Sequence, residues 1–332
     1  MATIYDVARR ADVSPATVSR VVNGRASVDA ALAERVRRAM ADLDYRPNAV
    51  ARNLRRSRTS FWSMIIANID NPFFTALFRG VEDVARPAGY SMLLGNTDED
   101  PGREEQYVDG ALAEQIAGMV ICPTASSSHL RRLVDAGVPV VVVDRLMPEV
   151  GADTVLVDND QGAAAATRHL VGSGYRRIGC ITGPPGLFTA DQRLAGYRRG
   201  LAEAGRPYDE TLVRRTDFRR EGGHQAMGSL LDADPRPDAV FVANNLMTIG
   251  AVECVFGRGI PVPRELGIVG FDDMPWTNLV RPALSTVTQP TYDLGRAAAE
   301  LLRLRLAEPD RPATTLTLPT RLQVRESSIP PT

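Results

Sequence analysis

The sequence of 332 residues contains no lysine, so all 39 of its basic residues are arginine. The phosphate-binding pattern Gly-x-x-x-x-Gly-Lys is therefore absent, and the Gly-x-Ser-x-Gly pattern of serine hydrolases is absent as well. No general acid, general base or nucleophile can be assigned from the residue patterns. We therefore predict that the protein is not an enzyme.

Cysteine and histidine are scarce, with three residues of each type. Cys122, Cys180 and Cys254 are far apart and form no Cys-x-x-Cys pair, which predicts free thiols in a reducing cytoplasm. The three histidines have neither a histidine partner four residues away nor a nearby cysteine. We therefore expect no metal site and no cofactor.

Long apolar runs are missing too. No stretch of about 18 uncharged apolar residues occurs, which predicts no transmembrane helix and no membrane partner. The N-terminus lacks the basic and apolar segments of a signal peptide, so a cytoplasmic protein is expected. Apolar residues make up 44% and charged residues 24% of the chain, as in soluble globular proteins, and the length allows two or three domains.

Residues 3–25 predict two short helices joined by a tight turn. Thr3 with Asp6 is close to a capping box for the first helix, and Ser14 followed by Pro15 suits the start of the second. Apolar residues recur at helical spacing in both segments. Those expected to face inward are Val7, Ala8, Ala11, Val18, Val21 and Val22.

The outer face of the second helix is predicted to hold Ala16, Thr17, Ser19 and Arg20. Small residues let a helix approach DNA closely, and Arg20 can donate two hydrogen bonds to a guanine. An ordinary helical hairpin would give the same helix signals. The charge distribution favours DNA, because residues 1–58 hold twelve Arg against six acidic residues while the whole chain is formally −1.

Three segments resemble the DNA-binding head of the LacI/GalR family of bacterial transcription regulators, named for the lactose and galactose repressors. They are Thr3-Ile-Tyr-Asp-Val-Ala8, Val13-Ser-Pro-Ala-Thr-Val-Ser-Arg-Val-Val-Asn-Gly24 and Tyr45-Arg-Pro-Asn-Ala-Val-Ala-Arg-Asn-Leu54. The resemblance extends over nearly the whole chain and implies a small all-α helix-turn-helix head on an effector-binding domain.

The resemblance also implies roles for single residues of the head. Residues 15–20 would read the major groove. Phosphate contacts position the protein without reading sequence, and the candidates for them are Tyr5, Ser14, Thr17, Ser19 and Asn23. Residues 47–58 are too short to hold a helix alone, and the resemblance makes them a bridge that enters the minor groove. Its DNA-contacting residues would be Asn48, Ala51 and Leu54, with Leu54 inserted between base pairs as a wedge.

From Phe61 onward, short apolar strands alternate with helices, which predicts parallel sheets covered by helices on both faces. The resemblance implies an α/β fold of two lobes, like that of type I periplasmic binding proteins. The predicted domains are the head (1–46), a hinge (47–58) and an effector-binding and dimerisation domain (59–332). Within the last, the first lobe comprises about 59–158 plus 290–318, and the second about 159–288 plus 319–332.

Ligands of open α/β sheets bind at the carboxyl ends of the strands. Aromatic rings there can pack against the C–H face of a sugar, while carboxylates, amides and arginine bind its hydroxyls. The residues read off near the strand ends also include Asp70, Asn245 and Asp273, and the family resemblance selects ten candidates: Asn71, Phe73, Phe74, Asp144, Arg145, Arg193, Phe218, Asn244, Asp272 and Gln289. Structural alternatives exist, since Phe73 and Phe74 could be core residues and Asp144 with Arg145 a surface ion pair.

All ten positions resemble, in residue type, those of ribose-type family members and of the related periplasmic ribose-binding protein. The resemblance therefore implies a pentose or ribose-containing effector. One departure is Asn245, which stands where the family usually has aspartate.

The sequence thus predicts a homodimeric transcriptional regulator, and a repressor is favoured. It would bind a pseudo-palindromic operator in double-stranded DNA and be controlled by a small sugar-like effector. Three alternatives stay open. They are a carbohydrate-binding or transport protein without a DNA role, a sugar-processing enzyme, and a regulator that responds to a purine or a phosphorylated sugar.

Overall fold

The computed structural model describes residues 2–22, 28–45, 59–124 and 129–331 of the chain. The chain divides into two units, residues 1–59 and 60–332, and each is described by itself. The hinge predicted for residues 47–58 lies outside the described residues.

The first unit contains three described helices, α1 (Ile4–Ala11), α2 (Pro15–Val22) and α3 (Ala30–Asp42). Thr3 and Asp6 form the expected capping box at α1, and Asp29 caps α3. The Ser14 hydroxyl accepts a hydrogen bond from the backbone N–H of Thr17 at 3.2 Å. The buried core consists of Val7, Ala8, Ala11, Val18, Val36 and Ala39. The predicted helix-turn-helix is therefore confirmed.

The second unit contains two six-stranded sheets. Its strands are β1 (Phe61–Ile66), β2 (Ser91–Asn96), β3 (Gly118–Ile121), β4 (Val140–Val143), β5 (Asp153–Val157), β6 (Ile178–Thr182), β7 (Val213–Arg215), β8 (Ala239–Val242), β9 (Gly267–Phe271), β10 (Ser285–Thr288), β11 (Thr315–Leu318) and β12 (Arg321–Gln323).

Eight described helices connect these strands. They are α4 (Pro72–Ala85), α5 (Pro101–Ala113), α6 (Leu130–Asp135), α7 (Asn159–Gly172), α8 (Phe188–Glu203), α9 (Arg220–Leu231), α10 (Asn245–Gly257) and α11 (Thr291–Ala307). None of the helices in the described ranges is long and apolar enough to cross a membrane.

The first sheet has the strand order β11-β5-β4-β3-β1-β2, and its pairs are parallel. The second has the order β12-β10-β9-β8-β6-β7, with β12 antiparallel to β10 and the other pairs parallel. Met64 and Ile65, neighbours on β1, belong to different buried clusters, so both faces of the first sheet are covered. The predicted class of parallel sheets covered by helices is confirmed.

The chain passes between the sheets three times: after β5, after β10 and between β11 and β12. The first lobe therefore contains β1 to β5, the later helix α11 and strand β11. The carboxyl ends of β4 and β9, one from each sheet, carry the side chains that face each other in the cavity described below.

Several elements differ from the sequence prediction. The apolar run that starts at Val138 forms a strand only from Val140, because Pro139 has no N–H to contribute to the ladder. Strand β5 was not predicted, since its first residue Asp153 is charged and becomes buried only by pairing with distant arginines. Strands β11 and β12 are short and largely exposed, so they carry no apolar signal.

Candidate functional site

All ten side chains expected to form the effector site line one cavity between the two sheets. The cavity has about 540 Å³ of empty space and is open to solvent. The structure therefore brings together residues from seven separate stretches of the chain. The ten are Asn71, Phe73, Phe74, Asp144, Arg145, Arg193, Phe218, Asn244, Asp272 and Gln289.

Three of these residues have a left-handed backbone conformation. Their φ values are 67° for Asp144, 60° for Phe218 and 75° for Asp272. This region is unfavourable for residues other than glycine, with asparagine and aspartate the best tolerated. Asp144 and Asp272 directly follow β4 and β9, so this conformation occurs where each strand ends and the side chain meets the cavity.

Asp144 and Arg145 are 6% and 2% exposed, which excludes the alternative of a surface ion pair. The two Nη groups of Arg145 donate to the carboxylate of Glu99 and to the carbonyl of Pro123. Within the described ranges, Arg145 Nε and Asp144 Oδ1 are buried without a hydrogen-bond partner. Arg145 Nε–H, the second N–H of its Nη2 and Asp144 Oδ1 are thus not engaged by other described residues on this side of the cavity.

The opposite side is built around Arg193 and Asp272. Arg193 donates from Nε to Asn159 Oδ1 at 2.8 Å and from Nη1 to the carbonyl of Ala243 at 2.6 Å. Asp272 accepts hydrogen bonds from Gln289 Nε2 and from the backbone N–H of Asn245. Gln289 Oε1 is a further buried acceptor for which the described residues supply no donor.

Burial raises the pKa of both Asp144 and Asp272, and attraction to Arg193 opposes this only in part. Their carboxylates therefore carry a cost in the empty cavity. A ligand that donates hydrogen bonds to them would reduce that cost.

The aromatic part of the cavity belongs to the core as well. Phe73 and Phe74 meet edge to face, with ring centroids 5.1 Å apart, and both pack in a buried cluster of the first lobe. The core alternative is therefore correct, and the same rings still line the cavity. Asn71 caps the helix that carries them by accepting from the N–H of Phe73 at 3.0 Å.

Among the residues that the structure describes, two hydrogen bonds join the lobes across the cavity. Asn245 Nδ2 donates to Asn71 Oδ1 at 2.8 Å, and Arg219 Nη2 donates to Asp98 Oδ1 at 2.8 Å. An aspartate at position 245, usual in the family that the sequence resembles, would lack the donor that this structure uses. The departure at this position therefore forms a contact between the lobes.

Sequence reasoning missed five lining residues, which are Asn68, Glu99, Thr189, Asp217 and Arg219. Glu99 comes soon after β2, so the strand-end rule could have found it. Thr189 lies within α8, where no such rule applies. The spatial arrangement of the missed charges emerges only in the tertiary structure.

In the first unit, the residues predicted to face DNA lie on the accessible side of the helices. Tyr5, Ser14, Ala16 and Arg20 are exposed. Pro15, Thr17 and Ser19 are half-buried. The other four candidates, Asn23, Asn48, Ala51 and Leu54, lie outside the described residues. In the part of the chain that the structure describes, no three His, Cys, Asp or Glu residues come together to hold a metal ion.

Comparison with known proteins gives matches over the whole chain. Residues 3–48 match the family model of bacterial regulatory proteins of the lacI family, and residues 167–328 match a periplasmic binding protein-like domain. Catabolite control protein A of Priestia megaterium is 34% identical over 98% of this chain and 99% of its own. A ribose operon repressor of Haemophilus influenzae is 34% identical over 98% of each chain.

Among solved structures, the lac repressor dimer bound to operator and the anti-inducer ONPF has a TM-score of 0.87 to this chain. It is 26% identical, and the match covers 99% of both chains. The resemblance therefore includes the helix-turn-helix unit together with the two-lobe unit.

Proposed function

This chain belongs to the LacI family of bacterial regulatory proteins and is a DNA-binding transcriptional regulator, and we propose that it is a repressor whose effector is a neutral pentose or ribose-containing molecule. It acts in the cytoplasm, it is not an enzyme, and two copies bind a pseudo-palindromic operator. The observation that carries the effector assignment is the set of uncommitted polar atoms in the cavity.

Those atoms suit a polyhydroxylated ring. Asp144 Oδ1 and Gln289 Oε1 can each accept from a hydroxyl, and Arg145 Nε can donate to a hydroxyl or ring oxygen. Phe73, Phe74 and Phe218 supply apolar surface for the C–H groups of the ring. A relative named for ribose, the ribose operon repressor, supports a pentose among the neutral sugars.

The proposed switch couples this cavity to the head. A sugar that binds both lobes favours the closed arrangement, and closure changes how the two heads of a dimer are held for an operator. Coupling of this kind is reciprocal, so operator must change sugar affinity by the factor with which sugar changes operator affinity.

The test is calorimetric titration of pentoses, hexoses and nucleosides into the full chain, with and without operator DNA. We expect a pentose or nucleoside to bind and its affinity to change in the presence of operator. Binding of only a purine base or a phosphorylated hexose would refute the ribose-type assignment. Equal sugar affinity with and without operator would refute the switch.

The head gives a separate prediction for Arg20, which is exposed on α2. Arg20→Ala should cost about 1–3 kcal/mol of operator affinity and relax the base preference at one position in each half-site. Fluorescence anisotropy with a panel of single-base operator variants measures both effects. If affinity falls equally for every sequence, Arg20 contacts phosphate rather than a base.

A further inference from the structure

We propose that Glu99 makes the cavity selective for neutral over anionic sugars by occupying the guanidinium group of Arg145. This inference rests on the proposed function, because it concerns the chemistry of the effector that the same cavity binds. Neither the sequence analysis nor the family resemblance assigned a role to Glu99.

The contact between the two residues is bidentate. Arg145 Nη1 donates to Glu99 Oε2 at 2.8 Å, and Arg145 Nη2 donates to Glu99 Oε1. Nη1 also donates to the carbonyl of Pro123. A guanidinium group binds carboxylates and phosphates best through paired N–H groups. Glu99 occupies the Nη1–Nη2 edge and Pro123 the other N–H of Nη1, which leaves a ligand Nε–H and the second N–H of Nη2, on a group whose charge Glu99 already offsets.

The burial of Arg145 strengthens the effect that the charge of Glu99 has on it. Arg145 has a side chain only 3% exposed, so solvent screens its charge poorly and a neighbouring carboxylate neutralises it strongly. Glu99 lies at the cavity wall with its side chain 34% exposed. The negative charge of Glu99 would therefore repel an anionic group that entered beside Arg145 and would offset the attraction of the guanidinium group.

The other two arginines of the cavity each donate to at least one protein group. Arg193 donates to Asn159 and Ala243 and lies over the ring of Phe271, and Arg219 donates to Asp98. The lining contains four carboxylates against three guanidinium groups. Among these four carboxylates, Glu99 is the one that accepts hydrogen bonds from Arg145, so its charge should affect a phosphorylated or acidic sugar most.

Two variants separate the role of Glu99 from its bulk. Glu99→Gln keeps the side-chain shape and one acceptor oxygen, while Glu99→Ala removes both acceptors, so that Nη2 loses its partner and Nη1 keeps only its bond to the Pro123 carbonyl. Asp217→Asn is the matched control, because it removes one negative charge from the same lining. Its carboxylate accepts from Arg219 N–H and the Thr216 hydroxyl and leaves Arg145 untouched.

The first measurement compares D-ribose with D-ribose 5-phosphate by calorimetry on the full chain. The wild type should prefer ribose by about 100-fold or more. Glu99→Gln should narrow that preference about tenfold, and Glu99→Ala should narrow it further. The preference should be reduced and not reversed, because Asp144 still attracts Arg145. Asp217→Asn should stay within about twofold of the wild type.

The second measurement uses inorganic phosphate alone and follows the melting temperature at constant ionic strength. Any phosphate bound by the DNA-binding head is common to all four proteins, so only differences between them count. We expect both Glu99 variants to gain phosphate-dependent stabilisation that the wild type and Asp217→Asn lack.

The outcomes separate the two proposals. If the wild type binds no neutral sugar but the Glu99 variants gain phosphate stabilisation, the effector assignment fails and the role of Glu99 holds. If the Glu99 variants respond to phosphate as Asp217→Asn does, the role of Glu99 is refuted, whatever sugar the wild type binds.

Discussion

Replacing Asp272 by asparagine should strongly weaken the response to sugar while operator binding without sugar stays intact. The Asp272 carboxylate accepts from Gln289 Nε2 and from the N–H of Asn245. The amide NH2 of an asparagine would face the Gln289 or the Asn245 donor, so one hydrogen bond would be lost. Asparagine still tolerates the φ of 75° at this position. The lost acceptor should weaken sugar binding about 10- to 100-fold, measured by calorimetry and by operator release.

The adjacent acid provides the control. Asp273 points away from the cavity and accepts from both Nη groups of Arg325 and from the hydroxyls of Thr277 and Thr286. Asp273→Asn should therefore lower the free energy of unfolding by about 1–3 kcal/mol and keep the sugar response. If both variants lost the response alike, the effect of Asp272 would reflect general destabilisation rather than a contact with sugar.

Asp144→Asn should make the protein without ligand more stable at neutral pH and weaken its sugar binding. Asp144 is buried, its Oδ1 has no partner among the described residues, and its Oδ2 accepts only a weak bond from the Cys122 thiol at 3.8 Å. Removing this charge should raise the free energy of unfolding by about 1–3 kcal/mol. Sugar affinity should fall about tenfold, because a hydrogen bond to an ionised acceptor is lost.

The pH dependence checks the cause of this gain. Burial raises the pKa of Asp144 above its value in the unfolded chain. Ionisation therefore removes stability from the wild type as the pH rises through the folded-state pKa. The advantage of Asp144→Asn should be greatest at neutral pH and should shrink as acid protonates Asp144. An advantage that is independent of pH would mean that packing, not charge, stabilises the variant.

Asp153 is a buried acid whose charge should stabilise the protein, in contrast to that of Asp144. Its carboxylate is fully buried and accepts from Arg305, Arg311 and the N–H of Thr314. Asp153→Asn should destabilise the protein by about 3 kcal/mol, because it breaks a buried ion pair. Chemical denaturation of Asp144→Asn and Asp153→Asn compares their free energies of unfolding. A gain for the first and a loss for the second would distinguish an acid that serves ligand binding from one that stabilises the fold.

Local patterns were sufficient to predict much of this protein. Thr3, Asp6 and Asp29 predicted helix starts because a side chain can cap a helix using only residues within one turn. Asp144 and Asp272 were predicted as site residues because each follows a strand, and ligands bind at the carboxyl ends of strands; the family resemblance implied that they share one site. The helix α11 carries a helical repeat, Leu294, Ala298 and Leu302, that could have located it.

Other features depend on contacts between residues far apart in the chain. Asp153 begins a buried strand only because Arg305 and Arg311 reach it from more than 150 positions away. The contact between Asn245 and Asn71, which joins the two lobes, could not be predicted for the same reason, because the two residues are far apart in the sequence. No periodicity within a segment reports such pairs, because each partner alone reads as an ordinary polar residue.

Capping and periodicity in the sequence predicted the helix-turn-helix and the alternating strands and helices, because these are local properties, while the family resemblance implied the two lobes and the ten candidate residues of the cavity. The tertiary structure alone decided which polar atoms of those residues remain available. Asp272 faces the cavity and Asp273 faces Arg325, and Arg145 keeps two of its five N–H groups because Glu99, 46 residues away, and Pro123 accept from the other three. Hydrogen bonding is directional and short-ranged, so the folded chain assigns each donor and acceptor.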